Sequence, residues 1–272
     1  MTEFIQLLWS GILNGMLYAL IGLSLVLIFK TARILNFAAG TMAGFTGWFA
    51  WWWATKQGIP FLLAILVAIV MVAVATLLIE RLTIRPLINE NFLSIVTITL
   101  GLEFLIANLS INFFGGRAES LRIPGDIQFK NFEIGGVRFN WWHVVILIST
   151  FIILAIVGYI VNRTELGLAM RAFAEDKDAA RLMGIKESTV SQWTWTLSVT
   201  VGGLAGILFA PVLFLQQDYM NIPFIKGFVA AILGGFTSLS GGVLGGLLPV
   251  SYTHLRAHET REDLVCRLLL EK

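Results

Sequence analysis

Charged residues are scarce in this sequence: they make up 13% of its 272 residues, about half the share found in soluble domains. The formal net charge is only +2, and Cys266 is the one cysteine. A nearly neutral chain has no electrostatic footprint for nucleic acid, and a single cysteine cannot form an intrachain disulfide framework. These shortages exclude a basic nucleic-acid-binding protein and a disulfide-rich secreted domain.

The sequence also lacks the motifs of an enzyme. It contains no Gly-x-x-x-x-Gly-Lys-Ser/Thr loop, which is the loop that cradles the phosphates of ATP. No nucleophile–base pair or cluster of metal-binding residues lies within its apolar segments. We therefore predict a chain that is not an enzyme, with no catalytic residues, no metal and no cofactor of its own.

Long apolar runs are what the chain does have, with 57% hydrophobic residues and a mean hydropathy of +0.82. A bilayer core of about 30 Å needs about 20 apolar residues per helix. The sequence therefore predicts an all-α polytopic membrane protein with about seven complete transmembrane helices and a truncated eighth. The predicted spans are 5–29, 34–54, 60–80, 91–114, 141–161, 190–215 and 224–239, and the eighth runs from 241 to 250.

Lysine and arginine set the predicted orientation. Nine of them fall in alternate loops: Lys30, Arg33, Arg81, Arg85, Arg163, Arg171, Lys177, Arg181 and Lys186. Because positive charge is enriched on the cytoplasmic side, the N-terminus is predicted outside and loop 162–189 in the cytoplasm. Loop 115–140 is then external, despite its four basic residues, and its Gly, Pro and Phe content favours a short ordered cap.

Tryptophans gather near the predicted span ends: Trp9, Trp48, Trp51, Trp52, Trp53, Trp141, Trp142, Trp193 and Trp195. Indole rings favour the headgroup level of a bilayer. The pattern predicts aromatic belts, and burial in the core is the competing interpretation.

The most regular loop is residues 164–185, which is predicted to form one or two short helices. Glu175, Asp176 and Asp178 crowd a predicted helix start, where negative charge suits the helix dipole. Gly184 supplies a left-handed stop, and the alanines leave a smooth surface for another protein. The competing interpretation is a solvated helix beside the membrane.

This loop resembles the cytoplasmic loop of branched-chain amino-acid ABC transporter permeases. The resemblance is carried by Arg171-Ala172-x-Ala174-Glu175-Asp176 followed by Ala180-x-Leu182-Met183-Gly184-Ile185. Three further stretches agree with the family: Asn36-Phe37-Ala38-Ala39-Gly40, Glu80-Arg81-x-x-x-Arg85-Pro86-Leu87 and Lys226-Gly227-Phe228-x-Ala230-Ala231-x-Leu233-Gly234-Gly235. The resemblance covers roughly residues 5–250, and 1–250 are therefore assigned to a permease domain.

The resemblance implies an importer subunit in the bacterial inner membrane that carries branched-chain amino acids. Its implied partners are cytoplasmic ATPase subunits that bind the ATP, an identical or homologous second permease subunit, and a periplasmic or extracellular substrate-binding protein. The 165–185 loop would be the coupling helix that seats in the ATPase. The implied coupling residues are Arg171, Glu175, Asp176, Asp178, Ala179 and Gly184.

Polar residues in the spans are the candidates for a substrate path: Asn14, Asn36, Gly40 and Glu103. The family motif contains Asn36 and Gly40, although this chain has Ala39 where the family often has His or Gln. Glu103 is a carboxylate near the middle of a predicted span, which by default indicates a functional site. Interhelical hydrogen bonding is the competing interpretation for all of them.

Two other functions stay open at this stage. Related permeases also carry urea and short amides, so the substrate class has an alternative. A different class, an ion-coupled secondary transporter, would use Glu103 as its coupling site but leaves the regular 165–185 loop unexplained.

Residues 251–272 differ from everything before them. They hold eight charged residues, two of the three histidines and Cys266. They also resemble translated sequencing-adaptor sequence, so we interpret them as a non-native tail. The spacing of His254 and His258 imitates a metal pair, an interpretation we reject for the same reason.

Overall fold

The computed structural model describes residues 2–87, 90–134, 137–236, 238–239 and 241–247. The predicted tail, 251–272, lies outside this part of the chain, as does the end of the predicted eighth span. The described helices are α1 Thr2–Ala32, α2 Ala39–Trp51, α3 Phe61–Ile79, α4 Phe92–Phe114, α5 Trp141–Arg163, α6 Glu165–Glu175, α7 Lys177–Leu182, α8 Glu187–Leu213 and α9 Asn221–Gly234.

Five of these helical segments are long and apolar enough to cross a membrane: Phe4–Ala32, Phe61–Leu87, Phe92–Phe114, Trp141–Arg163 and Glu187–Leu213. They make the chain a polytopic helical membrane protein. Two predicted spans have shorter α-helices, because α2 gives way to π-helical turns at Trp52–Lys56 and α9 stops before Gly235, whose φ is +84°. Residues 241–247 are helical, within the predicted eighth span.

The helices form a centre and a periphery. In α1 and α8, 83% and 61% of the most apolar window is buried, whereas α3, α4 and α5 bury only 22–28%. Apolar side chains on the outer helices face lipid, so their exposure is expected in a membrane protein. α1 and α8 are therefore the central helices of the bundle.

Glycines let the central helices approach closely. A Cβ added at Gly206 of α8 would lie 2.1 Å from the carbonyl oxygen of Ala43 in α2, and one added at Gly203 would lie 2.7 Å from Thr46 Oγ1. The hydroxyl of Ser198 donates to the carbonyl of Ser24 in α1 at 2.6 Å. Small residues at such crossings replace the hydrophobic drive that lipid cannot supply.

The 115–140 loop is ordered, as its composition predicts, but it contains strands that an all-α prediction omits. Strands β1 Asn131–Ile134 and β2 Val137–Asn140 pair antiparallel. Phe132 stacks on Phe139 with ring centroids 5.5 Å apart, and Trp9 of α1 meets Phe139 edge-on. The hairpin is thereby fixed to the start of α1.

The prediction of aromatic belts is wrong for several tryptophans. Trp48, Trp51, Trp142 and Trp195 are all at most 4% exposed. Trp142 donates its indole N–H to the carbonyl of Leu208 at 3.3 Å. These rings fill the core because an indole buried between helices contributes a large apolar surface.

Candidate coupling segment and substrate path

The regular loop forms two helices, α6 and α7, which we call the α6–α7 segment. Its interior is a small hydrophobic cluster of Met170, Phe173, Ala180 and Val190. Ala180 is 3% exposed, so the predicted alanine surface does not include it. The segment has a fixed shape because its two helices share this cluster with the start of α8.

Asp176 is the residue that separates the two helices. Its carboxylate accepts hydrogen bonds from the backbone N–H groups of Asp178 at 2.9 Å and Ala179 at 3.0 Å. Asp176 and Asp178 thus lie at a helix start, as predicted. The prediction was wrong for Glu175, which is the last residue of α6 because the Asp176 cap begins a new helix.

Replacing Asp176 with alanine is expected to loosen α7. Loss of an Asp cap destabilises a helix by about 1 kcal/mol, which raises the population of the opened segment about fivefold. Trypsin cleavage after Lys177 and Arg181 in the purified permease measures this opening. Glu175→Ala is the control, since Glu175 accepts no capping bond; equal cleavage in both variants would show that Asp176 is not a cap.

Gly184 ends α7 in the left-handed conformation that its sequence position predicts, with φ of +82°. The N–H of Gly184 donates to the carbonyl of Arg181, and the N–H of Ile185 donates to the carbonyl of Ala180. This pair of bonds is a Schellman motif. It turns the chain sharply from α7 into α8.

Charged side chains connect α7 to two central helices. The guanidinium of Arg181 donates to Glu187 in the first turn of α8 and to Asp178 at 3.3 Å, and the bond to Glu187 raises the pKa of Arg181. Lys177 lies 4.0 Å from Glu187 and donates to the carbonyl of Ala32, the last residue of α1, at 3.4 Å. These contacts join α7 to the end of α1 and to the start of α8.

Arg171 holds α6 against α5 rather than pointing freely outward. Its Nη1 donates to the carbonyl of Val161 at 2.9 Å, near the end of α5. The approach is close at Gly167, where an added Cβ would lie 2.2 Å from the same carbonyl oxygen. Arg171 therefore contacts α5, whereas the other predicted coupling residues lie at the end of α6 and in the turn and helix that follow.

Two exposed apolar side chains at the end of α7, those of its last residue Leu182 and of the C-cap residue Met183, were missed by the residue assignments from the sequence. Leu182 is 89% exposed and Met183 is 83% exposed. They lie beside exposed Asp178, Ala179 and Gly184, which the sequence did single out. Ala180 takes the buried position of this short helix. Had Ala180 been recognised from the sequence as the inward-facing residue, helical periodicity would have placed Leu182 on the outside.

Glu80 is a second residue that sequence reasoning left without a role. It is fully buried at the end of α3, accepts a hydrogen bond from Ser191 of α8 at 2.9 Å, and pairs with Arg85 at 3.3 Å. Ser191 lies four residues after Glu187, which α7 contacts. Glu80 thus connects α3 to the helix that leaves the α6–α7 segment.

Replacing Glu80 with alanine is expected to destabilise the permease by about 2 kcal/mol. Removing one partner strands the other charge, although Arg85 is partly exposed and loses less than a fully buried group. The apparent Tm in detergent should fall by about 4–8 °C. Exposed Glu90 supplies the control, and a Glu90→Ala variant that loses as much stability would contradict this assignment.

The predicted substrate-path residues Asn14, Asn36 and Gly40 lie in α1, in the α1–α2 connection and in α2. Asn36 is 2% exposed, and its side-chain oxygen Oδ1 accepts a hydrogen bond from the backbone N–H of Ala38 at 3.0 Å. Gly40 lies against α9, where an added Cβ would be 2.8 Å from Cβ of Phe224. Asn14 is half-buried in α1, one turn before Tyr18, whose hydroxyl accepts a hydrogen bond from Lys226 of α9 at 3.4 Å.

Glu103 lies on α4 and is half-buried. Within the described part of the chain no hydrogen bond or ion pair to its carboxylate is present. Asn14, Asn36 and Gly40 lie on α1 and around the start of α2, so Glu103 is on a different helix from all three.

Comparison with known proteins supplies the family. The model of the permease component of branched-chain amino acid transport systems matches residues 7–256. The high-affinity branched-chain amino acid transport system permease protein BraD of Pseudomonas aeruginosa is 26% identical, covering 90% of this chain and 84% of the relative. LivH of Escherichia coli, with the same description, is also 26% identical, covering 90% and 83%.

An archaeal relative extends the likeness. The probable branched-chain amino acid transport permease protein LivH of Methanocaldococcus jannaschii is 29% identical, covering 89% of this chain and 78% of the relative. No solved structure matches the chain. Because the family model spans the α6–α7 segment and every described helix from α2 to α9, the chain belongs to the family of permease components of branched-chain amino acid transport systems.

Proposed function

We propose that the chain is the membrane-spanning permease subunit of an ATP-driven importer for branched-chain amino acids. The observation that carries the proposal is the α6–α7 segment, in which two exposed apolar side chains stand on a helix that is bonded to both central helices. The relatives' described substrates support the choice of branched-chain amino acids.

The proposed mechanism begins at α7. A cytoplasmic ATPase receives Leu182 and Met183 in a cleft, and closure of its ATP-bound dimer displaces the helix. Lys177 and Arg181 convey this displacement to the ends of α1 and α8. Because those helices form the centre of the bundle, their tilting opens the path alternately outward and inward. ATP chemistry stays in the partner, and this chain supplies no catalytic group.

The proposed assembly completes the transporter. Two permease subunits cross the inner membrane, each with its N-terminus outside, and a binding protein delivers substrate to the outer face. We propose seven complete spans, with α2 and α9 as short spans inside the bundle. Both helices pack against central helices, which protects their ends from lipid and permits fewer residues than a lone span needs.

Uptake by the reconstituted transporter tests this function. The permease is co-expressed with candidate ATPase subunits and a candidate binding protein from the same organism and placed in liposomes. We expect leucine uptake that requires internal ATP and persists when a protonophore removes the proton gradient. Uptake of urea or acetamide in place of leucine would contradict the proposal that the substrates are branched-chain amino acids.

Glu103→Gln separates this mechanism from an ion-coupled transporter. The amide keeps the size of the side chain and removes its charge and titration. An ATP-driven permease should retain leucine uptake within about twofold, because no step assigns work to this carboxylate. Abolished uptake, together with sensitivity to the protonophore, would favour the secondary transporter.

A further inference from the structure

Lys226 is a cation inside the membrane. It is the one charged residue in the described helix α9, and its ammonium donates to the hydroxyl of Tyr18 in α1 at 3.4 Å. Tyr18 is the central residue of the span Phe4–Ala32, about 21 Å along the helix from either end. The sequence places Lys226 near the edge of the predicted span 224–239, whereas this contact puts its ammonium near the middle of the membrane.

The packing of the next residue, Gly227, fixes this depth. A Cβ added at Gly227 would lie 2.6 Å from Cγ2 of Ile21 and 3.2 Å from the carbonyl oxygen of Tyr18, so α9 meets α1 at its middle. The ammonium of Lys226 also lies 5.2 Å from the centroid of the Tyr18 ring. Lysine side chains in membranes commonly extend toward the headgroups, but Lys226 is turned toward a buried tyrosine.

The charge of Lys226 has no anion to compensate it in the part of the chain that the structure describes. The ion pairs found there lie at Glu80 and around α7. A cation at this depth is costly in lipid and indicates a functional site. An ammonium has three donor hydrogens, of which Tyr18 accepts one, and among the described residues the O–H of Tyr18 has no acceptor. Both groups therefore have donors available for an anion.

Branched aliphatic side chains surround this cation on α9. Ile222 and Val229 lie one turn before and one turn after Lys226 on the same face of the helix, and they are 65% and 42% exposed. Ile225, the preceding residue, is 59% exposed. A single cation among aliphatic side chains suits a small molecule that has both a carboxylate and an aliphatic side chain. Leucine, isoleucine and valine have both groups, whereas urea and acetamide have no carboxylate.

We propose that Lys226 and Tyr18 bind the carboxylate of a branched-chain amino acid in the substrate path, an inference that rests on the proposed importer function. The ammonium and the phenolic O–H donate to the carboxylate oxygens, and such charge-assisted hydrogen bonds are strong. The aliphatic side chain of the substrate contacts Ile222 and Val229. Lys226 is exposed while Tyr18 is buried, so the site opens on the outward face of α9. Asn14 lies one turn before Tyr18 on the same face of α1, which places a predicted path residue beside the site.

Leucine uptake by the reconstituted transporter tests the role of the cation. Lys226→Met keeps a long unbranched side chain without its charge, and we expect uptake to fall at least about tenfold because charge-assisted hydrogen bonds to the carboxylate are lost. Lys226→Arg keeps the cation and should transport leucine faster than Lys226→Met. The matched control is Lys56→Met, since Lys56 also lies over an aromatic ring, 5.4 Å from the centroid of Trp51, but outside the proposed site. It should retain uptake within about twofold.

Thermal stability separates substrate binding from a structural role of Lys226. Removal of an uncompensated ammonium should leave the apparent Tm within about 1 °C or raise it, and the ATPase should still co-purify. A lower Tm or a lost assembly in Lys226→Met would assign the residue to packing or to an ion pair with another subunit, and either result would overturn the proposal. Uptake equal to that of Lys56→Met would also overturn it. Absence of ATP-dependent leucine uptake by the unchanged transporter would instead contradict the importer function itself.

Protection of a cysteine from modification tests recognition of the carboxylate. Val229→Cys places a thiol one turn from Lys226, and mass spectrometry follows its reaction with a water-soluble maleimide in the detergent-solubilised transporter. Leucine in excess should slow this reaction at least about threefold by occupying the site. Leucinol, which has an alcohol in place of the carboxylate, should not slow it, and Lys226→Met should abolish the protection by leucine.

Val74→Cys on α3 is the control for this measurement, because Val74 is 51% exposed on an outer helix. Its thiol should react slowly, since a thiol must be in water to ionise, and leucine should not change its rate. Three results would contradict carboxylate binding at Lys226: no protection of Val229→Cys by leucine, equal protection by leucinol, or protection that persists in Lys226→Met.

Discussion

Alanine at Gly206 is expected to abolish recovery of folded permease. The new Cβ would lie 2.1 Å from the carbonyl oxygen of Ala43 and 2.6 Å from its carbonyl carbon. Both atoms belong to the backbone of α2, so no side-chain rotation relieves the contact. The helices would have to separate by about 1 Å, and overpacking of this severity destabilises a protein by about 3 kcal/mol or more.

The same displacement would break other contacts at this crossing. The hydroxyl of Tyr219 donates to the carbonyl of Gly206 at 3.1 Å and lies 3.3 Å from that of Gly44. Because Tyr219 is buried, its hydroxyl would lose partners that water cannot replace. The consequence is a folding defect rather than a change of transport rate.

Gly158→Ala is the matched control for Gly206→Ala. Gly158 lies inside α5, five residues before its end at Arg163, and an added Cβ there meets no atom within 4 Å. Alanine should leave the yield unchanged or improve it, because glycine disfavours a helix by about 1 kcal/mol. The measurement is the monodisperse yield and apparent Tm of both variants in detergent. Comparable losses in both would contradict the close crossing of α2 and α8.

The sequence predicted a helix well where the apolar run of that helix alone carries the information. Span 91–114 is found as α4 Phe92–Phe114 and span 141–161 as α5 Trp141–Arg163, because an apolar run must be helical in a bilayer. The left-handed stop at Gly184 also follows from local chemistry. The shortness of α2 and α9 was not predictable, since it depends on burial among other helices.

Long-range contacts account for what the sequence could not predict. Glu80 and Ser191 are 111 residues apart, and no local pattern brings them together. Gly206 packs against the backbone of α2 whereas Gly101 is open, and the sequence alone cannot distinguish a packed glycine from an open one. For Trp48 and Trp195, position near a span end gave the wrong environment because neighbouring helices extend to cover the rings.

Glutamine at both Leu182 and Met183 is expected to disconnect the ATPase from the permease. The two side chains are almost fully exposed in the isolated permease, so their replacement should leave its apparent Tm within about 1 °C of the original. In the assembled transporter they would fill an apolar cleft, and removal of such anchors weakens binding by about 2 kcal/mol or more. That corresponds to an affinity lower by about thirtyfold.

Co-purification of the ATPase and ATP-driven leucine uptake should therefore fall together, while the permease remains folded. Leu168→Gln makes the same chemical change at another exposed leucine, 61% accessible on α6, and should retain both activities because α6 is held against α5 by Arg171 and Gly167. If the double variant still binds the ATPase as well as Leu168→Gln does, α7 is not the docking helix. If binding survives but uptake is lost, Leu182 and Met183 transmit the displacement without anchoring the partner.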